Sequence, residues 1–589
     1  MTKRISLKAI FTLSVIVFFS QSSISQQLVT IDKSKQYQTV EGFGTLYGKY
    51  VYWDGDGKDY YDEDHLKRII DDLQISIHRT FLDTKMEMVN DNNDPNVTDL
   101  AKYRAALDLS APDRCSGEYI KNRTILNYMK AYKERALKNG DTLKFFATVM
   151  SPPHWMKYTR CTFGTDFTWN RMATWEDEAE KGTTGGVDGV KDFKDEFAEF
   201  VYGTTKVFQE NGINFHGVSI QNEPQFPQTY NSCIYNFNAM AATVKTVGKR
   251  LEKEKMNTKI MFPEDMGDVA RNNQYVMAVN KDADALKYSD IFAVHQYNQD
   301  GVTSGTIGAS QWEGLNKIAN RGRKRQVWMT ETSNFGTGVQ GLRKMSSQLF
   351  TALKFGYVNA WIWLIACDNS GPDEDGYQFF VKKDGKQVWT KKGLAFKHYC
   401  KYIRPNSIMV DALSSAPNEV LSLAFQDNYR KRLTIVLVNN DSVNSKTVSL
   451  KFVGSGYPSK FLGFRTSSIE DFKNLDSLKA TDIITLPPSS IATFIGNNSM
   501  PVITGVNDIE ENNINKIVIY PNPSQNIINL IGKGLNEEHI EILDSQMKTI
   551  VLQSINFESN EAQVDISSLV NGIYFVKIKN QVKKIVVAK

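Results

Sequence analysis

The chain has 589 residues, of which 41% are hydrophobic and 23% charged, so it can bury a large core and should form two or three domains. Its formal net charge of +4 is small for this length, and its basic residues are dense only in short runs such as RGRKR at 321–325. This distribution argues against a nucleic-acid partner.

Residues 1–25 have the pattern of a secretory signal peptide. Basic residues up to Lys8 precede an apolar run from Ala9 to Phe19, and small polar residues follow up to Ser25. The apolar run is about 11 residues long, whereas a membrane span needs roughly 20. We therefore expect an exported, monomeric mature chain without a stable membrane span.

The five cysteines are too few for a disulfide scaffold, although one or two bridges are possible. Cys115 and Cys161 both lie in polar, loop-like segments and form the candidate pair. No CxxC spacing and no HExxH pattern occurs, so neither a metal site nor a cofactor is expected.

Eight short β-rich runs alternate with helix-compatible stretches between residues 41 and 403. The runs lie at 41–45, 75–81, 143–150, 216–224, 259–265, 291–297, 326–332 and 357–364. This alternation predicts a (β/α)8 barrel, and a doubly wound open sheet is the alternative. The count of eight favours the barrel, as does the lack of a GxGxxG or GxxxxGK[ST] turn after the first run.

The pattern changes to alternating strands without helices at residues 404–497, which predicts an antiparallel β side domain. Residues 26–40 could add a strand to it. A polar stretch at 498–514 is typical of a linker, and residues 515–589 form a β-rich tail long enough for a small all-β sandwich.

Two glutamates end predicted barrel strands that face each other across the mouth: Glu223 after the fourth and Glu331 after the seventh. Paired carboxyls of this kind suit glycoside hydrolysis, in which one protonates the leaving oxygen and the other attacks the anomeric carbon. A separation of about 5 to 5.5 Å gives retention of configuration, and about 6.5 to 9.5 Å gives inversion. Glu264 and Asp265, after the fifth strand, are the alternative carboxylates.

Polar residues at other strand ends could support this pair. Asn222 could hydrogen-bond a sugar 2-hydroxyl, and Arg79 could hold the nucleophile ionised. His295 and Tyr297 could hydrogen-bond the nucleophile, with a buried structural pair as the alternative.

Aromatic residues near the strand ends suit a saccharide cleft, because sugar C–H faces pack on aromatic rings. Trp155 lies in the proline-stiffened loop SPPHWMK (151–157), and WIWL (361–364) places Trp361 and Trp363 on one face of the eighth strand. The alternative is that these tryptophans only fill the core, which is less expected for Trp155.

The ordered motifs VEGFG, SPPHWMK, VSIQNEP, HQY and WMTETS resemble glycoside hydrolase family 30 over about residues 28–497. The resemblance implies Glu223 as acid/base and Glu331 as nucleophile, with Asn222, Arg79, Trp155 and Tyr297 lining the site. Residues 391–412 are similar to the barrel exit of the family's bacterial xylanases. IACDNSGPDEDG (365–376) lacks the arginine and tyrosine of members that require glucuronate, so the resemblance does not extend to glucuronate recognition.

The tail motifs YPNP, VDISSLVNGIYFVKI and KKIVVAK resemble the C-terminal sorting domain of type IX secretion substrates. The resemblance implies the type IX machinery as a partner and a secreted or cell-surface location. A carbohydrate-binding module, the alternative for this tail, would need exposed aromatics, but residues 516–589 contain no Trp.

The sequence thus predicts a cofactor-independent, retaining endo-β-glycosidase whose substrate is a polysaccharide, with β-1,4-xylan as the first choice. A β-1,6-glucanase or β-galactanase of the same family is the alternative within this class. A non-catalytic glycan-binding surface protein is the alternative from another class.

Overall fold

The computed structural model describes residues 26–46, 63–92, 94–109, 121–173, 193–297, 308–367, 377–383, 386–497, 518–520, 524–531, 540–544, 548–550, 555–558, 561–578 and 581–587. The chain divides into two compact units, Met1–Ser499 and Met500–Lys589. The predicted signal peptide, the predicted linker, Cys115 and most of the segment compared with the glucuronate-dependent xylanases lie outside the described residues.

Eight strands of the first unit form a closed parallel barrel in which neighbours in the chain are neighbours in space. The strands are β1 (Gly42–Leu46), β2 (Ile77–Leu82), β3 (Lys144–Val149), β4 (Phe215–Ser219), β5 (Lys259–Met266), β6 (Ser289–His295), β7 (Gln326–Glu331) and β8 (Ala360–Trp363). Each overlaps one of the eight predicted runs. Because β8 pairs with β1, from Ala360 with Gly42 to Trp363 with Thr45, the predicted barrel is confirmed and the open sheet is excluded.

Helices connect the barrel strands and bury apolar faces against them. One of the two longest described helices, Phe193–Glu210, places phenylalanines at 193, 197, 200 and 208, a helical spacing, and buries them all. None of the described helices is long and apolar enough to cross a membrane. The described α-helices are Glu63–Leu66, Leu100–Ala106, Asn122–Lys138, Phe193–Glu210, Phe237–Lys253, Val269–Asn280, Ala283–Tyr288, Ser310–Ala319, Gly338–Phe355 and Lys391–Cys400, with a π-helix at Lys67–Asp72 and 3₁₀ turns at Thr84–Glu87 and His154–Met156.

A nine-stranded sheet of the first unit corresponds to the predicted β side domain. Its strands are Gln27–Thr39, Ile408–Ser414, Val420–Asp427, Arg432–Asn439, Lys446–Val453, Lys460–Thr466, Lys473–Lys479, Ile484–Leu486 and Ser490–Asn497. As predicted, the strand that precedes the barrel joins this sheet. It pairs antiparallel with Ile408–Ser414 and parallel with Lys446–Val453, the one parallel pairing among the described strands of this sheet.

Small two-stranded sheets extend the barrel loops. Phe163–Gly164, after β3, pairs with Gln228–Asn231, after β4, and Phe380–Lys383 pairs with Lys386–Trp389, after β8. The first of these sheets joins two neighbouring loops at the carboxyl ends of the barrel strands.

The second unit contains two four-stranded sheets that share one core, which confirms the predicted small all-β domain. Ile528, Leu530 and Val564 come from one sheet, and Ile542 and Val576 from the other; all five are fully buried. The strands are Val518–Tyr520, Ile527–Ile531, Ile555–Glu558 and Glu561–Asp565 in the first sheet, and Ile540–Leu543, Thr549–Ile550, Gly572–Ile578 and Gln581–Val587 in the second.

The cysteines fall into two groups. Cys161 is disulfide-bonded, whereas Cys233, Cys367 and Cys400 are buried thiols. The pairing of Cys161 with Cys115 stays a prediction, because Cys115 is not among the described residues.

Gly44 in β1 is required by a close approach of two barrel strands. A Cβ atom there would lie 2.0 Å from the backbone oxygen of Ile77 in β2, and backbone cannot move aside cheaply. We expect Gly44→Ala to lower the free energy of unfolding by about 3 kcal/mol. Urea unfolding followed by tryptophan fluorescence reports on the first unit alone, since all nine tryptophans precede residue 390.

Gly164→Ala is the matched control. Its Cβ would meet Asn170 Cγ at 3.4 Å, so we expect a change of no more than about 0.5 kcal/mol. Equal unfolding midpoints for the two variants would contradict the close approach at Gly44.

Candidate active site

Glu223 lies just beyond the end of β4, in a backbone conformation that few glutamates adopt. Its φ is +46°, in the left-handed region, and its N–H donates to the carbonyl of Glu264 at 3.0 Å. The preceding Asn222 donates its N–H to the carbonyl of Val149, at the end of β3, at 2.8 Å. These two bonds from neighbouring strand ends hold the backbone in a strained geometry that is typical of functional sites.

Glu331 is the last residue of β7 and is brought to His295 by an irregularity in the sheet. The register between β7 and β6 shifts between Met329 and Glu331, so that Glu331 pairs directly with His295. Such bulges re-aim side chains at barrel rims.

The carboxyl groups of Glu223 and Glu331 meet at the barrel mouth. One oxygen from each and one nitrogen of His295 all lie within 4.8 Å of one another. His295 Nδ1 is 2.8 Å from Glu223 Oε1 and 3.7 Å from Glu331 Oε1. The two glutamates, 108 residues apart in the chain, are therefore close enough to act on a single bond, and their spacing is short enough for retention.

Glu331 is surrounded by donors and positive charge. Tyr297 donates its hydroxyl hydrogen to Oε1 at 2.6 Å, and Arg79 donates from Nη1 to Oε2. Burial by itself raises the pKa of Glu331, but the charges of His295 and Arg79, together with the hydrogen bonds from Tyr297 and Arg79, hold it at about 2. The Glu331 carboxyl is thus an anion at any pH at which the protein would work.

The buried side chain of Arg79 contacts residues at the ends of several barrel strands. Its side chain is 0% exposed. Besides Glu331, it donates to Asn222 Oδ1 at 2.8 Å and to Thr148 Oγ1 at 3.1 Å. Because the Asn222 oxygen accepts from Arg79, the amide nitrogen is the end of Asn222 that remains for a ligand.

Glu264 is a third carboxyl group of the same cluster. Its Oε1 lies 3.3 Å from Arg79 Nη2 and 3.7 Å from His295 Nε2, and it accepts from the Thr148 hydroxyl at 3.1 Å. Burial raises the pKa of Glu264, yet the charges of Arg79 and His295 outweigh burial and leave it lowered.

His295 completes the charge balance. Burial lowers its pKa, but the charge of Glu331, together with the hydrogen bond to Glu223 and the charge of Glu223, raises it to about 10. The cluster therefore has three carboxyl groups against two cations, Arg79 and His295. With all three carboxyls ionised, the cluster carries one net negative charge.

The spacing of Glu223, His295 and Glu331 would also admit a metal ion. Two observations favour proton transfer over metal binding. Tyr297 and Arg79 already donate hydrogen bonds to the two oxygens of Glu331. A protonated His295 has no lone pair with which to bind a metal.

The structure thus gathers six of the eight predicted site residues: Arg79, Asn222, Glu223, His295, Tyr297 and Glu331. It does not bring the two tryptophans into this cluster. Trp155 is half-buried, and its indole N–H donates to the carbonyl of Glu87 at 3.0 Å. Trp363 is 0% exposed and packs between aromatic rings, with Trp361 at 6.0 Å and Phe379 at 5.1 Å, so this geometry offers no face on which a sugar could stack.

Asp265, an alternative carboxylate, faces Arg271 at 2.7 Å rather than joining the cluster. Burial raises its pKa to about 6.

Two residues of the site were not predicted. Thr148, near the end of β3, bonds both Arg79 and Glu264, and a threonine in a buried strand gives no signal of this in the sequence. Tyr230, 45% exposed in the strand Gln228–Asn231, has its pKa raised by burial and by the charges of Glu223 and Glu331.

Sequence relatives of the chain include glycoside hydrolases. A glucuronoxylanase of Bacillus subtilis is 21% identical over 310 residues, which cover 51% of this chain and 65% of the relative. A putative glucosylceramidase of Caenorhabditis elegans is 25% identical over 280 residues, which cover 46% of this chain and 48% of the relative. The chain thus spans about half to just under two thirds of the length of these relatives.

Solved structures share the architecture over most of the chain. A family 30 endoxylanase from Clostridium papyrosolvens matches with a TM-score of 0.56 at 18% identity, covering 80% of this chain and 99% of that one. An endo-β-1,6-glucanase matches with a TM-score of 0.55 at 15% identity, covering 80% and 94%.

The tail has its own match, because residues 518–589 fit the family model described as the secretion system C-terminal sorting domain. The resemblance seen in the sequence is therefore supported for both parts of the chain. The barrel with its side sheet has the fold of glycoside hydrolase family 30, and it is followed by a C-terminal secretion sorting domain.

Proposed function

We propose that this chain is an exported, retaining endo-β-glycosidase that hydrolyses polysaccharide backbones, with β-1,4-xylan as its substrate. The observation that carries the proposal is the approach of Glu223 and Glu331, whose oxygens lie within 4.8 Å at the carboxyl ends of barrel strands. The ionised state of Glu331 gives the two carboxyls different roles.

In the first step Glu331 attacks the anomeric carbon while Glu223 gives its proton to the departing glycosidic oxygen. A covalent glycosyl–enzyme ester forms on Glu331. His295 Nδ1 donates to Glu223 Oε1, so the transferable proton resides on the other oxygen, Oε2. In the second step Glu223 takes a proton from water, and the water oxygen attacks the anomeric carbon and releases Glu331.

The neighbouring residues position the reacting groups. Arg79 and Tyr297 orient the two Glu331 oxygens and hold the group ionised before substrate arrives. Asn222, held through its oxygen by Arg79, presents its amide nitrogen to the 2-hydroxyl of the sugar, where a hydrogen bond strengthens in the transition state. Trp155 remains our candidate for stacking on a sugar ring, whereas Trp363 is not included because it is fully buried.

Xylan is preferred because both a sequence relative and a structural neighbour are named for action on xylan. The endo-β-1,6-glucanase neighbour makes β-1,6-glucan the alternative to test.

We expect the full-length protein to release oligosaccharides from β-1,4-xylan with retained anomeric configuration. Glu223→Gln should lower kcat by about 10²- to 10⁴-fold because the leaving group loses its proton donor, and Glu331→Gln should lose at least as much because no ester can form. Chromatography of the products and NMR of the freshly released anomer provide the measurements.

The β-1,6-glucan pustulan is the control polymer, and binding is measured in parallel by affinity electrophoresis. Cleavage of pustulan but not of xylan would show that the substrate is a β-1,6-glucan, and the proposed mechanism would still stand. An inverted anomer would contradict the double displacement. No turnover on any polymer, with equal binding by wild type and Glu331→Gln, would favour a glycan-binding surface protein.

Tyr297→Phe should move the acidic limb of the pH profile. The hydroxyl stabilises the anion of Glu331, so its removal raises the pKa of that carboxyl and protonates the nucleophile at a higher pH. We expect the acidic limb of kcat/KM to rise by about 1–2 pH units, the value of a hydrogen bond to a charged group. Activity at pH 4 should therefore fall more than activity at pH 7.

Tyr275→Phe is the matched control, because it removes a buried hydroxyl that donates at 3.0 Å to the carbonyl of Tyr235, outside the cluster. A uniform loss at all pH values in Tyr297→Phe would show that the hydroxyl does not control the ionisation of Glu331.

We further propose that the signal peptide at 1–25 and the sorting domain at 515–589 carry the enzyme through the type IX secretion system to the cell surface or the medium. The match of residues 518–589 to a sorting-domain family supports this. A fusion of residues 1–25, a fluorescent protein and residues 498–589 should leave cells that possess the type IX machinery and stay inside isogenic cells that lack it. Export that does not depend on the machinery would refute the assignment.

A further inference from the structure

Exposed aromatic side chains are concentrated in two neighbouring loops at the carboxyl ends of the barrel strands. Seven Phe, Trp or Tyr side chains are exposed among the described residues, and four of these belong to the loops after β3 and β4. The four are Phe167, Trp169, Phe226 and Tyr230. Single apolar side chains on a surface are ordinary, whereas a concentration of them marks a place where something binds.

A buried polar network joins the two loops. The strand Phe163–Gly164 pairs with Gln228–Asn231. Lys157, which is 0% exposed, donates to Asn170 Oδ1 in its own loop and to the carbonyl of Ser232 in the other. Asn170 in turn donates from Nδ2 to Ser232 Oγ at 3.0 Å. Because a buried network with its hydrogen bonds formed favours a single arrangement, the two loops present one rigid surface.

The ring of Trp169 is held in place within this surface. Asp166 Oδ1 accepts from the backbone N–H of Thr168 at 2.6 Å and from that of Trp169 at 2.9 Å. The Trp169 ring stacks on Tyr158, with centroids 4.6 Å apart and planes inclined by 22°. The backbone of Tyr158 is fixed too, since its N–H donates to the carbonyl of Arg171 at 3.0 Å. The indole is therefore ordered before any ligand binds.

One face of the Trp169 ring is turned to solvent. The guanidinium carbon of Arg171 lies 5.1 Å from the Tyr158 centroid and 6.0 Å from the Trp169 centroid. Because the two centroids are 4.6 Å apart, these distances put Arg171 on the Tyr158 side of the indole. Trp169 is nevertheless 44% exposed, so its exposed face is the one opposite Tyr158. A sugar ring can pack its C–H face on an indole presented in this way.

The loop after β4 connects this surface to the proposed acid/base Glu223. Gln228 is five residues after Glu223, and five extended residues span at most about 18 Å. Gln228 pairs with Gly164 in the loop after β3. The carbonyl of Gly164 accepts at 2.7 Å from the side chain of Asn170, which directly follows Trp169. The Trp169 surface thus continues the surface that carries the cleavage site.

We propose that Trp169, supported by Tyr158, is a glycan-binding subsite that holds a sugar unit of the polysaccharide outside the cleavage site. The inference rests on the proposed function, because the ligand is taken from the continuity of this surface with the Glu223–Glu331 pair. Neither Trp169 nor Tyr158 belongs to the sequence motifs that resemble glycoside hydrolase family 30, so that resemblance does not assign the subsite.

Binding is tested in the full-length Glu331→Gln protein, which should not degrade the polymer during the measurement. Affinity electrophoresis through gels that contain β-1,4-xylan, pustulan or β-galactan gives a Kd for each glycan. We expect the glycan that the wild type cleaves to retard this parent protein. Adding Trp169→Ala should raise Kd about tenfold, the value of one aromatic stacking contact. Adding Trp169→Phe should raise it less than threefold, because a ring remains.

Tyr429→Ala is the matched control. Tyr429 is 85% exposed and lies in the turn between the side-sheet strands Val420–Asp427 and Arg432–Asn439, away from the two barrel loops. Its removal deletes an exposed aromatic ring of the same chain, and the Kd should equal that of the parent. Equal thermal unfolding midpoints for the Trp169 and Tyr429 variants would show that the exposed rings can be removed without loss of the fold.

Kinetics in the otherwise wild-type protein separate a remote subsite from a structural role. Trp169→Ala should raise KM for the cleaved polymer about tenfold and lower kcat by less than threefold, because the contact is the same in the ground state and in the transition state. A fall in kcat with an unchanged KM would contradict a remote subsite.

Three results in the gels would overturn the subsite: no retardation of the parent by any of the three glycans, the same Kd with and without Trp169→Ala, or the same loss in Trp169→Phe as in Trp169→Ala. The failure of the proposed function is distinguishable from these results. A wild type that cleaves no polymer would refute the hydrolysis, while the gels would still decide on the subsite. Cleavage by a wild type whose Trp169→Ala variant binds and cleaves equally well would refute the subsite alone.

Discussion

The cluster of charged side chains at the barrel mouth depends on one buried guanidinium group. Arg79 extends from β2 and reaches residues on or just after β3, β4, β5 and β7, namely Thr148, Asn222, Glu264 and Glu331. Arginine suits this position because its planar group stays charged when buried and directs its donors rigidly in several directions. Burying a cation without water is costly, and the two carboxylates it contacts offset that cost only in this geometry. The same contacts that neutralise Arg79 therefore fix the barrel mouth.

The strands depart from regular geometry where the three clustered carboxyls lie. Glu223 and Glu264 both have left-handed backbone conformations, with φ of +46° and +58°. Residues other than glycine seldom adopt this conformation. The sheet register shifts beside Glu264 and again beside Glu331. The preferences for negative φ and for an unbroken strand register are both violated here, because a barrel with regular strand ends would not turn three carboxyls toward one point.

The sequence predicted the framework better than the details of the site. Runs of β-branched and aromatic residues that alternate with helix-compatible stretches located all eight barrel strands, and strand-end placement singled out Glu223 and Glu331, which the structure brings together. Glu264 was named only as an alternative carboxylate, because a linear pattern cannot reveal that it lies beneath Arg79 and His295. The alternation of side chains along β8 predicts that Trp363 lies on one face of the strand, but it does not show whether that face opens to the cleft or packs on Phe379.

The strand Gln27–Thr39 pairs with residues 408–414 and 446–453 of the same sheet. Its partners lie 369 to 421 residues later in the chain, so this part of the sheet can close only after almost the whole first unit has been synthesised. Contacts of such long sequence separation are formed slowly. The first strand of the unit therefore stays without these partners until residues 408–453 have been made, so the side sheet is completed only after the whole barrel sequence has emerged.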